Sequence, residues 1–231
     1  MNEPTADKYA VIFDMDGVLV DSYEPHYISW VDTCRTRGFP ITREVFAGLF
    51  GRSFRAFAEA LSTRPLTEIE IQEWYDEKEG RYREIIESDF PEIDGASDLI
   101  KTLHDAGFLV GVASSGPRGN VECLLKHLPF AEHIGATVSA DEVTRTKPHP
   151  EPFLTCAAKL GVIPGNCAIV EDSVYGLQAG HAAGMATIAL AGTSPETELA
   201  KQADLVVHSL RELDADVIRK LASAPRPTLT V

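Results

Sequence analysis

Cysteine is scarce in this sequence, and the four cysteines that occur are scattered. Cys34, Cys123, Cys156 and Cys167 show no C-x-x-C spacing, which argues against a structural zinc site and against a dithiol redox motif. We expect all four to be reduced and to behave as small, partly buried hydrophobic side chains.

Long apolar runs and an excess of positive charge are also missing. No apolar stretch approaches the roughly 20 residues of a membrane-spanning helix, and residues 1–8 are polar, without the apolar segment of a secretory signal. Lysine and arginine total 21 against 35 aspartates and glutamates, a formal net charge of −14. This acidity argues against nucleic acid and anionic membranes as partners. We therefore expect a cytosolic protein.

The remaining composition is that of a globular protein. At 231 residues and 44% hydrophobic content, the chain is large enough for one sizeable core and a second small domain. Short β-rich runs recur, and amphipathic helical segments separate the later ones. The runs lie at residues 9–13, 108–114, 136–139, 167–171, 186–190 and 203–207. Strands that alternate with helices indicate βα units and a parallel sheet.

Residues 23–93 break this rhythm, because they show helical periodicity and almost no strand signal. Thr67 and Glu70 have the spacing of a capping box. Apolar residues then follow at helical spacing, with one lysine among them. This stripe consists of Ile71, Trp74, Lys78, Tyr82 and Ile85. We interpret 23–93 as an inserted helical domain that closes over the strand ends like a lid, and 1–22 with 94–231 as the main domain.

Residues 11–22 carry the most informative pattern in the chain. An apolar run ends in Asp14 and Asp16, and Gly17 follows. Open α/β sheets place their ligand crevices at the carboxyl ends of such strands. Two carboxylates a few ångströms apart repel each other, and a divalent cation with hard oxygen ligands, such as Mg²⁺, offsets that repulsion. The pair therefore predicts a metal site.

Three further patches end apolar runs or precede helices. Ser114 ends one run before a predicted helix, whose N-terminal N–H groups favour an anion, and Ser115 is the alternative hydroxyl. Lys147 precedes another helix and supplies a compact positive charge. Glu171 and Asp172 end a further run. Together with the first pair, these residues offer carboxylates for a cation, and a lysine and a hydroxyl for a phosphate.

The four motifs resemble those of the haloacid dehalogenase-like superfamily. They are D-M-D-G-V at residues 14–18, Ser114, Lys147-Pro148 and Glu171-Asp172, in that order. The match is to the subgroup with a helical cap inserted after the first motif, which includes small-molecule phosphatases and β-phosphoglucomutase. The resemblance covers roughly residues 9–221 and implies an α/β fold with a doubly wound, Rossmann-like parallel-sheet core and an inserted all-helical cap domain.

The resemblance also implies roles for the core residues. Asp14 is expected to attack phosphorus and form an aspartyl-phosphate. Asp16 is expected to protonate the leaving alkoxide and then to activate water. Ser114, or Ser115 in its place, and Lys147 are expected to hold the phosphoryl oxygens.

Magnesium is the cofactor that the resemblance implies. Its expected ligands are the Asp14 carboxylate, the Asp16 backbone carbonyl and Asp172, with Glu171 ligating directly or through water. The presence of Asp16 favours phosphoryl transfer over dehalogenation, because a halide leaves without a proton and an alkoxide does not. Phosphonate hydrolysis is disfavoured on the same ground.

Four residues in 23–93 resemble, by position, residues with which the mutase bridges cap and core or contacts sugar phosphate. They are His26, Lys78, Arg52 and, as a second candidate arginine in the same region, Arg55. Arg52 lies in G-L-F-G-R-S at 48–53, which resembles the substrate-specificity loop of the cap.

The resulting functional hypothesis is a Mg²⁺-dependent phosphatase that acts, as a monomer, on a small phosphorylated metabolite such as a sugar phosphate. A hexose-phosphate mutase of the β-phosphoglucomutase type shares every core residue and is the first alternative. A non-catalytic binding module that keeps the fold is a lesser one, because such a module would be free to lose the nucleophile or the acid.

Overall fold

A computed structural model describes residues 8–224 of the chain. Residues 1–7, on which the cytosolic expectation partly depends, and 225–231 lie outside the described residues. The described chain divides into two compact units: one runs up to Asp21 and resumes at Glu92, and the other is Ser22–Pro91. These limits lie one or two residues from the domain boundaries expected from the sequence. Across residues 8–224, no helix has the length and apolar character required to cross a membrane.

The first unit is built on a six-stranded parallel sheet. The strands are β1 (Ala10–Phe13), β2 (Leu109–Ala113), β3 (Ile134–Val138), β4 (Cys167–Glu171), β5 (Ala186–Leu190) and β6 (Leu205–Val207). Their order across the sheet is β3-β2-β1-β4-β5-β6. From β1 the chain adds β2 and β3 on one side of the sheet, and it then crosses over to add β4, β5 and β6 on the other side. The reversal creates a topological switch point between β1 and β4.

Helices cover this sheet. They are α5 (Ala96–Asp105), α6 (Arg118–His127), α7 (Glu151–Leu160), α8 (Val174–Ala182), α9 (Glu196–Leu199) and α10 (Ala215–Ala222), and the four helices that precede them in the chain belong to the second unit. Ala10 and Ile12 share a buried cluster with Phe153 of α7 and Leu177 of α8. All four β1 residues are fully buried, as expected of a parallel strand that is covered on both faces. The doubly wound α/β fold is confirmed.

The largest differences between the expected and observed strand limits lie at the sheet edges. The edge strand β3 begins at Ile134, not at 136, and the edge strand β6 begins at Leu205, not at 203. An edge strand pairs on one side only, so its extent depends on how far a single neighbour continues. For β3 that neighbour is β2, and their pairing register shifts between Val110 and Gly111.

The second unit consists of four helices, and no strand occurs among its residues, 22–91. The helices are α1 (Tyr23–Arg35), α2 (Arg43–Leu49), α3 (Phe54–Leu61) and α4 (Glu68–Ser88). Helices α1 and α4 pack against each other, and an aromatic core fills the unit. In that core, the Trp30 ring stacks on Phe57 with 4.1 Å between centroids.

Helix α4 begins as its sequence predicts. Thr67 and Glu70 form the capping box, which is confirmed. The predicted stripe is confirmed except at its last member, because Ile86 is fully buried and Ile85 is not. Towards the end of α4 the buried positions therefore follow steps of four residues, at Lys78, Tyr82 and Ile86.

The two connections between the units lie side by side. Val20 and Glu92 form an antiparallel bridge, and the Ile93 N–H donates to the Leu19 carbonyl oxygen at 3.1 Å. The insertion therefore leaves and re-enters the sheet unit at one place.

Helix α8 approaches the sheet closely because of its glycines. A Cβ at Gly180 would lie 2.6 Å from Ile169 Cγ1 and 3.2 Å from Thr187 Cγ2. Both neighbours are fully buried and lie on central strands, so they have little freedom to move.

We expect Gly180→Ala to lower the free energy of unfolding by about 1–3 kcal/mol, because the added methyl overpacks the interface. The free-energy cost of overpacking outweighs the roughly 1 kcal/mol that alanine contributes over glycine through its higher helix propensity. Urea denaturation measures it. Gly80→Ala is the matched control: it lies within α4 with a single Arg83 atom at 4.0 Å, and we expect it to be neutral or stabilising. An equal response of both variants would contradict the packing argument.

Candidate active site

The register of the sheet brings the ends of β1 and β4 to the same level. Phe13, the last residue of β1, pairs with Val170 of β4, so Asp14 and Glu171 follow at neighbouring positions. The backbone N–H of Asp14 donates to the Val170 carbonyl oxygen at 2.9 Å. Both carboxylates therefore extend from the carboxyl edge of the sheet, at its switch point.

Lys147 joins these two carboxylates. Its Nζ donates to Asp14 Oδ1 at 2.5 Å and to Glu171 Oε1 at 2.7 Å, and it lies 4.8 Å from the centroid of the Phe153 ring. The three charged side chains are almost completely buried. Because removing one partner of a buried ion pair leaves an uncompensated charge, the two carboxylates depend on the Lys147 ammonium.

Asp172 completes an acidic group that can hold a metal ion. One carboxylate oxygen from each of Asp14, Glu171 and Asp172 lies within 4.8 Å of the others. The three carboxylates and the Lys147 ammonium leave two negative charges uncompensated when all are ionised. Clustered carboxylate oxygens of this kind are the ligands of hard divalent cations. The donor set therefore fits a cation such as Mg²⁺.

Two glycines make room for the acidic group. A Cβ at Gly17 would lie 2.0 Å from Asp172 Oδ2, and a Cβ at Gly176 would lie 1.7 Å from Glu171 Oε1. Gly17 also has φ +76°, a left-handed conformation that is costly for residues with a side chain. A side chain at either position would displace a carboxylate.

Ser173 fixes the second oxygen of Glu171. The backbone N–H and the hydroxyl of Ser173 donate to Glu171 Oε2 at 2.7 and 2.8 Å. The Ser173 oxygen in turn accepts from the Gly176 N–H at 3.0 Å and caps α8. The Glu171 carboxylate is therefore held at both oxygens, by Lys147 on one and by the start of α8 on the other.

Burial and like charge raise the pKa values of the carboxyl groups. Burial raises the pKa of Asp14 to about 7; Lys147 opposes this shift, while Glu171 and Asp16 add to it. Burial, followed by the charges of Glu171 and Asp14, raises the pKa of Asp172 well above its usual range. Burial alone would lower the pKa of Lys147, but the two carboxylates beside it raise it overall. Lys147 is therefore an ammonium at neutral pH.

The loop that carries Lys147 is tied at its ends. The Glu151 carboxylate accepts from the backbone N–H of Thr144 at 2.8 Å and from its hydroxyl at 3.0 Å. His149 Nδ1 accepts from the Glu151 N–H at 3.1 Å, so this histidine caps the start of α7. The Lys147–Pro148 peptide bond is cis.

Asp16 and Ser114 lie at the same edge of the sheet. Asp16 is half-buried in the turn after β1, where it bridges to Val20. Ser114 directly follows β2, the neighbour of β1, and is fully buried; its Oγ accepts from the Gly116 N–H at 2.9 Å. Ser115 is exposed. Of the two serines, Ser114 therefore has the fixed hydroxyl.

In the second unit, His26 and Lys78 come together. Lys78 Nζ lies 2.7 Å from His26 Nδ1 and donates to Glu79 Oε1 at 2.8 Å. The His26 ring stacks on Tyr82, with 4.2 Å between centroids. Since an ammonium only donates hydrogen bonds, His26 Nδ1 is the acceptor. Lys78 is thus buried, with the His26 ring and the Glu79 carboxylate as its partners.

The two candidate arginines differ in their surroundings. Arg52 is exposed in the loop between α2 and α3. Arg55, on α3, forms ion pairs with Glu68 and, at 3.6 Å, with Glu59. Arg55 is therefore committed to partners on its own unit.

Motif reasoning did not single out Thr193. Its hydroxyl donates to the Asp172 carboxylate, and it lies in the loop after β5. The carboxyl end of a strand is where the other candidate residues lie, and the same criterion applied to β5 indicates this loop.

We expect the metal-free protein to become more stable as the pH falls from about 8 to about 6. The folded-state pKa of Asp14, about 7, exceeds its ordinary 3.8. Over this range the folded state therefore binds a proton that the unfolded state has lost, and the associated stability disappears as the pH rises through 7. Lys147 stays charged throughout. Asp14→Asn should flatten the profile and raise the melting temperature near pH 8.

Thermal melts in chelator measure this effect. The control is Asp216→Asn, the same substitution at an exposed carboxylate of the same unit, which should keep the wild-type profile. A wild-type melting temperature that increases steadily with pH would contradict the assignment.

Comparisons with known proteins agree with this geometry. A family model described as haloacid dehalogenase-like hydrolase matches residues 11–190. The chain is 30% identical over 218 residues to β-phosphoglucomutase of Bacillus subtilis strain 168, covering 91% of this chain and 94% of that protein. It is 32% identical over 211 residues to hexitol phosphatase B of Escherichia coli strain K12, covering 89% and 94% respectively.

Among solved structures, a HAD hydrolase of family IA, variant 3, from Entamoeba histolytica superposes with a TM-score of 0.82 at 26% identity, covering 94% of this chain and 100% of that chain. The chain belongs to the haloacid dehalogenase-like hydrolase family.

Proposed function

We propose that this protein is a Mg²⁺-dependent phosphatase that hydrolyses a small phosphomonoester, with sugar phosphates as the substrate class. The observation that carries the proposal is the buried Lys147 ammonium bonded to both Asp14 and Glu171, inside a group of three carboxylates that can ligate one cation. An anionic substrate requires such local positive charge in a chain with a net charge of −14.

In this proposal Asp14 is the nucleophile. Its carboxylate attacks phosphorus in line, and an aspartyl-phosphate forms as the alkoxide leaves. Asp16 gives the alkoxide its proton and then takes one from the water that hydrolyses the intermediate. Lys147 and the Ser114 hydroxyl hold the phosphoryl oxygens that are not transferred, with Ser115 as the alternative hydroxyl.

The proposed Mg²⁺ ligands are the carboxylates of Asp14, Asp172 and Glu171 and the backbone carbonyl of Asp16, with Glu171 acting directly or through water. When bound, the cation neutralises the Asp14 carboxylate and the negative charge of the phosphoryl group as they approach. The Lys147 ammonium, which is hydrogen-bonded to Asp14, would also offset this negative charge as the phosphoryl group is transferred to Asp14.

We propose that the sheet unit is a catalytic core, residues 1–22 with 94–231. The helical insertion, residues 23–93, is a cap that selects the substrate. Within the cap, Arg52, His26 and Lys78 are the proposed substrate contacts. The exposure of Arg52 supports it over Arg55, which is engaged in ion pairs. The hexitol phosphatase relative supports a polyol or sugar phosphate as substrate.

A β-phosphoglucomutase-like mutase is the second candidate. The observation that favours it is the pairing of Lys78 with His26 at 2.7 Å, together with the relative of that name. The two reactions share every core residue and differ in whether water or a sugar hydroxyl takes the phosphoryl group from Asp14. That partition depends on how well the site excludes water.

We expect the purified protein to release inorganic phosphate from at least one member of a sugar phosphate panel in Mg²⁺, and none in chelator. Asp16→Asn should lower kcat/KM by about 10²–10⁴-fold, the usual contribution of a general acid–base. Asp14→Asn should lower it by about 10⁴-fold or more, as nucleophile loss does in other covalent catalysts. The control variant Asp216→Asn should keep the wild-type kcat/KM.

Metal-independent phosphate release, or an active Asp14→Asn protein, would refute the mechanism. No phosphate release from any substrate would favour a binding module.

Phosphorus NMR of the products separates the two reactions. Under the phosphatase proposal, the substrate signal converts to inorganic phosphate without an isomeric sugar phosphate. Lys78→Gln removes the charge that pairs with His26 and Glu79, and we expect it to raise KM more than it lowers kcat. The appearance of an isomeric sugar phosphate in wild type, and its loss in Lys78→Gln, would instead establish the mutase.

A further inference from the structure

The Asp172 carboxylate has two neighbours outside the acidic group. A Cβ at Gly17 would lie 2.0 Å from Asp172 Oδ2 and 3.0 Å from Thr193 Oγ1, so the three residues converge on one point. The Thr193 hydroxyl donates to the carboxylate there. All three belong to the sheet unit, and each comes from a different loop at the carboxyl edge.

The loop that carries Thr193 is held in place by its backbone. The Ala191 N–H donates to the Val207 carbonyl oxygen at 2.8 Å, which anchors the loop to β6 where β5 ends. Gly192 then has φ +152°, a conformation that L side chains rarely adopt, and the chain turns. Thr193 itself is exposed, so packing does not account for its hydroxyl pointing at a buried carboxylate.

Physical reasons make this hydrogen bond important to the carboxylate. Asp172 is buried beside two like charges, Asp14 and Glu171, which repel it. Gly17 packs against Asp172 Oδ2 without a side chain, so it makes room for the carboxylate but offers it no side-chain hydrogen-bond donor. A hydrogen bond to one oxygen fixes the plane of a carboxylate, and partners of this kind orient metal ligands throughout proteins.

We propose that Thr193 is a positioning residue that orients the Asp172 carboxylate for Mg²⁺. The inference rests on the proposed metal site and adds to it a residue from the loop after β5. Thr193 acts through Asp172 and has no part in the transfer of the phosphoryl group.

Magnesium binding, followed by thermal melts at increasing Mg²⁺ concentration, tests the proposal without any substrate. Thr193→Val keeps the shape and removes the hydroxyl, and Thr193→Ser restores a hydroxyl. Thr102→Val, at an exposed threonine on α5 whose hydroxyl donates to the Asp98 carbonyl oxygen at 2.8 Å, is the matched control. We expect Thr193→Val to need about 10- to 100-fold more Mg²⁺ for half-maximal stabilisation. The serine variant and the control should match wild type, as should the metal-free melting temperature of Thr193→Val.

Phosphate release over the same Mg²⁺ range adds a second readout. Thr193→Val should recover the wild-type kcat when Mg²⁺ is saturating, because the hydroxyl acts on the metal ligand alone. A Thr193→Val protein with wild-type Mg²⁺ dependence overturns the inference, as does a serine variant as weak as valine, or a wild type that Mg²⁺ does not stabilise. A wild type that releases no phosphate, yet loses Mg²⁺ affinity on Thr193→Val, supports the inference and overturns only the proposed reaction.

Discussion

The site of the sheet unit depends on one interaction, the pair of hydrogen bonds from the Lys147 ammonium to two buried carboxylates. Asp14 and Glu171 come from adjacent strands, and Lys147 comes from a loop 24 residues before Glu171. Parallel pairing sets the separation of the carboxylates, and the Thr144–Glu151 hydrogen bonds set the reach of the lysine. A shift of one residue in the register between β1 and β4 would send one of the carboxylates to the opposite face of the sheet.

This arrangement disfavours the ionised forms of Asp14 and Asp172. Burying charged groups carries a desolvation penalty, and well-packed hydrophobic replacements for buried ion pairs are often neutral or stabilising. Here three carboxylates face one ammonium, so a penalty from like charge adds to the penalty from burial. Burial first, and like charge after it, raise the pKa values of Asp14 and Asp172. Strongly shifted carboxyl groups at the switch point of an α/β sheet are typical of functional sites. The fold has therefore kept a cluster that packing alone would not favour.

The amino-acid sequence predicts the sheet unit well because its signals are local. Apolar runs, turn glycines and carboxylates at strand ends each report on a few neighbouring residues, and the parallel architecture then dictates that Asp14 and Glu171 meet. The same local signals indicate the loop after β5 but do not single out Thr193, because its contact with Asp172 depends on the turn at Gly192 and on the anchoring of Ala191 to β6. The proposed preference for Arg52 over Arg55 likewise depends on the ion pairs of Arg55 with Glu59 and Glu68, of which Glu68 lies on another helix.

The paired connections at Val20 and Glu92 have a consequence for the architecture. Because the polypeptide departs and comes back at adjacent positions, joined by a bridge and by the Ile93–Leu19 hydrogen bond, a tight turn would suffice to close the gap. The central strands would keep their connectivity and order with a helical insertion of another length or sequence in this place, since loop closure entropy grows only slowly with length. The junction therefore allows the helical insertion to be exchanged or resized without rearranging the strands of the sheet.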